Sequence, residues 1–124
     1  MDDHMNRYCD IFQLECAKKE SKKRIQLDDG GEYVGEVNRD FTPNGHGVEF
    51  YPNGNKRYEG QFVNGTKTGK GTFFYKNGLH AYAGQFENNH MHGQGTLFDP
   101  VNGSLLFRGS LFHGSFYNGT FFNQ

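Results

Sequence analysis

Short runs of alternating apolar and polar residues, separated by turn residues, occupy the chain from about residue 24 to residue 123. This alternation is typical of β-strands, because successive side chains of a strand point to opposite faces. Asn-Gly pairs interrupt the runs at Asn53-Gly54, Asn77-Gly78 and Asn102-Gly103. Since Asn-Gly favours the type I′ turn of a tight hairpin, the pattern predicts a meander of about nine short antiparallel strands.

An internal repeat organises the predicted strands. An aromatic-x-Gly triplet recurs in steps of 25, 24 and 25 residues, beginning at Tyr33, Tyr58, Tyr82 and Phe107. A Gly-x-Gly triplet recurs between them in steps of 24 residues, beginning at Gly45, Gly69 and Gly93. Because both markers stay in phase, each unit of about 24 residues is predicted to form one β-hairpin.

The predicted register gives the sheet two different faces. If Asn77-Gly78 is a two-residue loop, Gly71 lies opposite Gly84 and Phe73 opposite Tyr82. One face, called face A, then carries Gly71, Phe73, Tyr75, His80, Tyr82, Gly84 and Phe86. The other, called face B, carries Thr72, Phe74, Lys76, Leu79, Ala81, Ala83 and Gln85. In the next hairpin, pairing Gly95 with Gly109 requires a three-residue loop at 101–103.

Paired glycines leave a gap on face A, and aromatic rings from neighbouring strands are expected to cover it. A single-layer sheet has no second layer over this face, so we expect apolar surface to remain for a helix, a partner or a second copy. The residues predicted to bind a segment of a partner protein are Tyr33, Tyr58, Phe62, Phe73, Tyr82, Phe86, Phe107 and Leu111. The two sheet edges also allow self-association.

The composition supports a small all-β domain whose aromatic residues supply most of the burial. The 124 residues include 18 Gly, 13 Phe and 7 Tyr, but no Trp. Such a glycine content opposes a helical bundle, and the absence of a three-residue glycine period excludes collagen.

These motifs resemble the MORN (membrane occupation and recognition nexus) repeat, in which Tyr-x-Gly is followed by a variable turn, Gly-x-Gly and a further strand. The resemblance covers about residues 33–122, with partial units at both ends; the last has Phe107 for Tyr and Tyr117 for the first Gly. It implies an elongated single-layer antiparallel sheet without catalytic chemistry. It also implies a scaffold in a cytoskeletal, ciliary or membrane-associated assembly, and some similar proteins are linked to phosphoinositides.

The N-terminal segment differs in kind, so residues 1–23 are assigned to a helix with a basic linker and residues 24–124 to the repeat sheet. Met5, Tyr8, Phe12 and Cys16 recur at helical spacing. A lone amphipathic helix of this length is marginal in water, so it is expected to dock on the chain's own sheet or on a partner.

A basic run follows this predicted helix in a chain of net charge −1. It consists of Lys18, Lys19, Lys22, Lys23 and Arg24. It is either a solvated linker or, as an alternative function, a site that attaches the protein to anionic lipid such as phosphoinositide.

Catalytic, metal, cofactor and nucleic-acid functions are not predicted. His90 and His92 share a face but lack a third ligand at suitable spacing, and no nucleophile–base motif occurs. The repeat region is net acidic, which disfavours nucleic acid. Cys9 and Cys16 fit reduced thiols, and no signal peptide precedes them, so a cytoplasmic location is expected.

Overall fold

A computed structural model describes residues 22–122, which form one nine-stranded antiparallel sheet. The strands are β1 (Lys22–Gln26), β2 (Glu32–Val37), β3 (Pro43–Phe50), β4 (Lys56–Val63), β5 (Thr66–Phe74), β6 (His80–Glu87), β7 (His90–Phe98), β8 (Leu105–Phe112) and β9 (Ser115–Phe121). Each strand pairs with its neighbours in sequence, so the predicted all-β meander is confirmed. The predicted N-terminal helix lies outside the described residues.

The predicted register through the glycines is confirmed. Gly71 pairs with Gly84, Phe73 pairs with Tyr82, and Gly95 pairs with Gly109. Every strand from β2 to β9 contributes one glycine to a continuous column that crosses the sheet: Gly35, Gly47, Gly60, Gly71, Gly84, Gly95, Gly109 and Gly119. The repeat therefore places the positions that lack a side chain in one line across the sheet.

The Asn-Gly loop between β5 and β6 is one residue longer than predicted. The Tyr75 amide donates to the Leu79 carbonyl at 2.8 Å, and the Gly78 amide donates to the Tyr75 carbonyl at 2.9 Å. The loop therefore comprises residues 76–78, with Gly78 at φ 96°, and is a type I turn closed by a left-handed glycine. The loop after β7 is also one residue longer than predicted, since it comprises the four residues 100–103 where three were predicted.

A β-bulge in the next strand compensates for the longer loop. Phe74 pairs with His80 while Phe73 pairs with Tyr82, so Ala81 is the extra residue. The placement of His80 on face A was therefore wrong. Its ring lies on face B, 5.1 Å from the ring of Phe74.

Type I′ geometry occurs at the turns between repeats instead. Asn64-Gly65, Asn88-Asn89 and His113-Gly114 each have two consecutive residues with positive φ, from 48° to 87°. Each is a two-residue loop, because the flanking residues pair directly, as Val63 does with Thr66. These turns match the strand twist without a bulge at the closing pair.

Face A holds the core of the sheet even though the sheet is a single layer. Tyr33, Tyr58 and Tyr82 are fully buried. The ring of Phe62 meets those of Tyr33 and Tyr58 edge-on, with centroids 5.1 Å apart in both pairs. Phe86 meets Tyr58 and Tyr82 in the same way, at 5.1 and 5.2 Å. Interlocked rings thus shield one another where a second layer would otherwise be needed.

Candidate protein-interaction face

Each repeat tyrosine closes one gap in the glycine column, as predicted. A Cβ placed on Gly71 would lie 2.4 Å from the hydroxyl oxygen of Tyr58, so the ring occupies the space that a side chain would need. The Tyr58 hydroxyl donates to the carbonyl of Gln61 at 2.9 Å. Tyr33 and Tyr82 repeat the arrangement, donating to the carbonyls of Glu36 and Gln85 at 2.6 and 2.8 Å. The result is a smooth aromatic floor on face A.

Burial also changes the acidity of these phenols. Desolvation raises the pKa of Tyr33 and that of Tyr58 to about 12 and shifts the pKa of Tyr82 in the same direction. The floor is therefore neutral over the whole physiological pH range.

A second recurring contact was not anticipated from the sequence. The side-chain oxygen of Gln61 accepts the Lys70 amide at 3.0 Å, and Gln85 accepts the Gln94 amide at 2.8 Å. Gly69, at φ 98°, leaves room for this side chain, since a Cβ there would lie 2.1 Å from the Gln61 oxygen. The sequence does contain a signal for this contact, because Glu or Gln stands three residues after every repeat tyrosine: Glu36, Gln61 and Gln85.

The structure brings seven of the eight predicted partner-binding residues together as one buried row. Their exposed fractions run from 0 to 6%, for Tyr33, Tyr58, Phe62, Tyr82, Phe86, Phe107 and Leu111. Phe73 is half-buried and packs against this row. These side chains form the floor of face A and expose very little of their own surface to another molecule.

Two further rows border the floor and are called the rim rows. The first pairs across from the Tyr column and consists of Glu49, Phe73, Leu97 and Phe121. The second pairs across from the Phe62 column and consists of Pro43, Lys67, Met91 and Phe116. Apart from Phe73, sequence reasoning missed them, because it followed the repeated residues and these positions vary from repeat to repeat.

The rim rows change character along the sheet. At the β3–β5 end, Lys67 lies 3.1 Å from Glu49, and Arg57 lies 2.6 Å from Asp29. Both Glu49 and Lys67 side chains are largely covered, at 15 and 20% exposure. In the middle the rims are apolar, and at β9 they end in exposed aromatic rings. Face A therefore has a polar end and an apolar end.

Asp29 anchors the polar end from the turn after β1. It accepts the Gly31 amide at 2.8 Å and the guanidinium of Arg57 at 2.6 Å. These two contacts, the amide first, hold the pKa of Asp29 below its usual value. The carboxylate is thus kept charged against Arg57.

The opposite face is more polar. A shallow depression on face B crosses β4, β5 and β6, where Gly60, Gly71 and Gly84 form its floor. Gln61, Lys70, Gln85 and Gln94 surround it. The side-chain oxygens of Gln61 and Gln85 accept hydrogen bonds from backbone amides, so these side chains stabilise the sheet.

The predicted basic site lies only in part within the described residues. Lys22, Lys23 and Arg24 are exposed on β1, at the sheet edge, whereas Lys18 and Lys19 fall outside the described range. Arg24 is paired with Glu32 at 2.6 Å.

The histidines near the β6–β7 and β8–β9 turns approach one another. The rings of His92 and His113 have centroids 4.9 Å apart, and His92 Nδ1 accepts the His113 amide at 3.2 Å. Nε2 of His92 lies 3.2 Å from Glu87. Across residues 22–122, no three His, Cys, Asp or Glu side chains are grouped so as to hold a metal ion.

The three repeats match the family model of the MORN repeat at residues 33–56, 58–80 and 82–104. The matches are consecutive, span more than half of the chain, and begin at the three repeat tyrosines. MORN repeats are generally non-enzymatic modules of protein or membrane interaction. No curated protein matches the chain. Within the described range, no helix is long and apolar enough to span a membrane.

Proposed function

Because the chain belongs to the MORN repeat family, we propose that it is a non-enzymatic scaffold that binds a segment of a partner protein along face A. The observation that supports this proposal best is the pair of rim rows beside a closed aromatic floor. In such a role the protein is a subunit of a cytoplasmic assembly of cytoskeletal, ciliary or membrane-associated type.

The floor and the rims have different tasks in this proposal. Most of the floor is rigid, because the rings of Tyr33, Tyr58, Tyr82, Phe62 and Phe86 are held by a hydroxyl bond, by edge-on neighbours or by both. Rigid aromatic surface loses little conformational entropy on binding. Phe73, Met91 and Leu97 then contact the apolar side chains of the partner, and Lys67 with Glu49 provides polar contacts at one end.

The test compares face A with face B in variants of equal charge. Phe73→Glu with Leu97→Glu places two carboxylates on the rim, while Thr72→Glu with Thr96→Glu places them on the neighbouring positions of the other face. Immobilised chains are exposed to native extract, and bound proteins are quantified by mass spectrometry. We expect the face A variant to lose specific proteins by at least about tenfold, which corresponds to roughly 1.4 kcal/mol, and the face B control to keep them.

Folding is verified for both variants by circular dichroism and denaturant unfolding. A milder substitution, Met91→Lys, provides a second probe if the double variant fails to fold. Identical bound proteins for the wild type and all folded variants would contradict the use of face A.

The alternative is attachment to an anionic membrane, and the observation that favours it is the exposure of Lys22, Lys23 and Arg24 along β1. Flotation with phosphatidylserine or phosphoinositide vesicles tests it, with phosphatidylcholine vesicles as the control. Binding should weaken with added salt and in Lys22→Glu/Lys23→Glu, since screening and charge reversal both reduce the attraction. Absence of binding, or binding that salt does not change, would remove this alternative.

A further inference from the structure

The two edges of the described sheet differ in charge. The β1 edge carries Lys22, Lys23 and Arg24, and like charges on an edge strand oppose pairing with another strand. The β9 edge, Ser115–Phe121, contains no charged residue, and every one of its residues is exposed. Only the β9 edge is therefore free of an electrostatic barrier to pairing.

Large aromatic side chains lie exposed on and beside β9. The exposed fractions are 55% for Phe116, 79% for Tyr117 and 63% for Phe121, and Phe112 on β8 is 59% exposed. An uncharged aromatic edge strand with unpaired backbone groups is a template for another strand. Among residues 22–122, the edge thus combines apolar area with backbone groups that no other strand of the sheet pairs.

Strand direction decides which strand fits this edge. The described sheet has nine strands in simple antiparallel order, so β1 and β9 run in the same direction. Stacking β1 of a second copy on β9 with the same orientation would give a parallel pair, which is less stable per residue. A two-fold axis perpendicular to the sheet instead places β9 against β9 in antiparallel fashion and keeps face A on the same side of both copies.

The hydrogen-bond pattern of β9 fixes the register. The Phe122 amide donates to the Leu106 carbonyl at 2.8 Å, so the backbone groups of Phe122 face β8. Because these groups alternate in direction along a strand, those of Phe121 and Gly119 face the open edge. Gly119 is also the last member of the glycine column, paired with Gly109.

We propose that two copies of this chain form a homodimer through antiparallel pairing of β9 with β9, with Gly119 opposite Gly119 of the second copy at the two-fold axis. The glycine column then continues from one copy into the other without interruption. In this register Asn118 lies opposite Thr120 of the second copy, and both lie on the face away from the aromatic floor.

A charge test addresses the edge itself. Asn118→Lys with Thr120→Lys places two lysine pairs opposite each other across the dimer axis, whereas Asn118→Lys with Thr120→Glu places a lysine opposite a glutamate twice. By sedimentation over a concentration series, we expect a wild-type dimer, at least about a tenfold weaker dimer for the first variant, and a retained dimer for the second.

A cross-linking test addresses the register. In a Cys9→Ser/Cys16→Ser background, chains carrying Asn118→Cys are mixed with chains carrying Thr120→Cys. Directly opposed residues in such a pair have Cβ atoms about 4.5–5.5 Å apart, whereas residues offset by two are about 7–8 Å apart. We therefore expect a disulfide-linked dimer in the mixture and none from either chain alone.

Three results would overturn the proposal. The wild-type chain could be a monomer at every concentration, the dimer could survive the double-lysine variant unchanged, or the mixture could fail to cross-link. The face A variant Phe73→Glu/Leu97→Glu should dimerise like the wild type. Loss of partner binding and loss of dimerisation are therefore separate outcomes.

Discussion

The unit around Tyr58 in the middle of the sheet and the unit around Phe107 at its end share the glycine pairing but differ after it. Gln61 lies in a bulge between Gly60 and Phe62, whereas Ser110 pairs with Asn118 in the ladder. The Tyr58 hydroxyl donates to the carbonyl of Gln61, and the side-chain oxygen of Gln61 accepts the Lys70 amide of the next strand. In the last unit Phe107 has no hydroxyl, and Ser110 stands where Gln61 stood. The central unit therefore has two side-chain hydrogen bonds that the terminal unit lacks.

The bonds between successive hairpins show the same difference. Tyr51 donates to the carbonyl of Phe74, and Tyr75 donates to that of Phe98 at 2.8 Å, each linking one repeat to the next. At the corresponding position the third repeat has Asp99, which accepts the amides of Val101 and Asn102 within its own loop. The chain of inter-repeat phenol bonds thus stops one hairpin before β9.

Glycine pairing sets the register of a repeat, whereas the hydroxyl and amide bonds add to the stability of its strand pairing. Glycine pairing recurs in both units, with Gly60 opposite Gly71 and Gly109 opposite Gly119. The hydroxyl and amide bonds do not recur in the unit that contains the exposed edge strand β9. The glycine pairing is therefore independent of these bonds.

The largest expected effect is the loss of a gap in the glycine column. Gly71→Ala would force the Tyr58 ring to move, because the new Cβ would lie 2.4 Å from its hydroxyl oxygen. We expect a loss of about 3 kcal/mol in the free energy of unfolding, measured by denaturant titration.

The matched control is Gly78→Ala, where the nearest atom to a new Cβ is 3.8 Å away and the cost is limited to the left-handed backbone at φ 96°. That cost is about 1–2 kcal/mol. Equal losses for the two variants would show that ring contact does not set the cost.

The hydroxyl bond gives a smaller effect that is confined to the central unit. Tyr58→Phe removes the bond to the carbonyl of Gln61 and should reduce the free energy of unfolding by about 1 kcal/mol. Phe107→Tyr is the matched variant in the terminal unit, where Ser110 pairs with Asn118 in the ladder and does not form a bulge like that at Gln61, so no comparable gain is expected. Denaturant midpoints of both variants test this, and a gain in Phe107→Tyr as large as the loss in Tyr58→Phe would contradict it.

A dependence on alkaline pH contributes nothing at neutral pH and emerges only above pH ~10. The folded-state pKa of Tyr58 is raised to about 12, whereas an unfolded tyrosine ionises near ~10. Stability from this phenol is thus complete below pH ~10 and is lost as the pH rises through 12. In Tyr58→Phe the stability of the folded state should fall less steeply across this range, as followed by urea titration at successive pH values. An identical slope in wild type and variant would contradict the shift.

Sequence reasoning predicted the repeat, the strand number and the glycine pairs, because Gly, Tyr and Phe recur at fixed spacing and the period of two assigns faces. It misplaced His80, because the extra loop residue at Lys76 and the bulge at Ala81 cancel in the register of Gly71 and Gly84. A pattern that fixes only the glycine pairs does not reveal two such offsetting irregularities.

The functional face could be predicted only in part. The recurring aromatics were correctly placed on face A. They recur because their rings fill the space beside the paired glycines, and Tyr58 and Tyr82 are fully buried as a result. The rim positions occupied by Glu49, Phe73 and Leu97 differ in every repeat, so no period marks them. Their place follows from the glycine pairs two residues away, whereas placing Lys67 and Met91 in the second rim row needs the bulges to be known.

Amide hydrogen exchange by NMR tests the contrast between the central and terminal units most directly. It is measured on the full chain at a dilution where it is monomeric, so that dimerisation does not protect β9. We expect the slowest exchange in β4, β5 and β6 and exchange at least about a hundredfold faster in β9, which corresponds to roughly 2.7 kcal/mol less protection. Protection of β9 equal to that of β5 would contradict it.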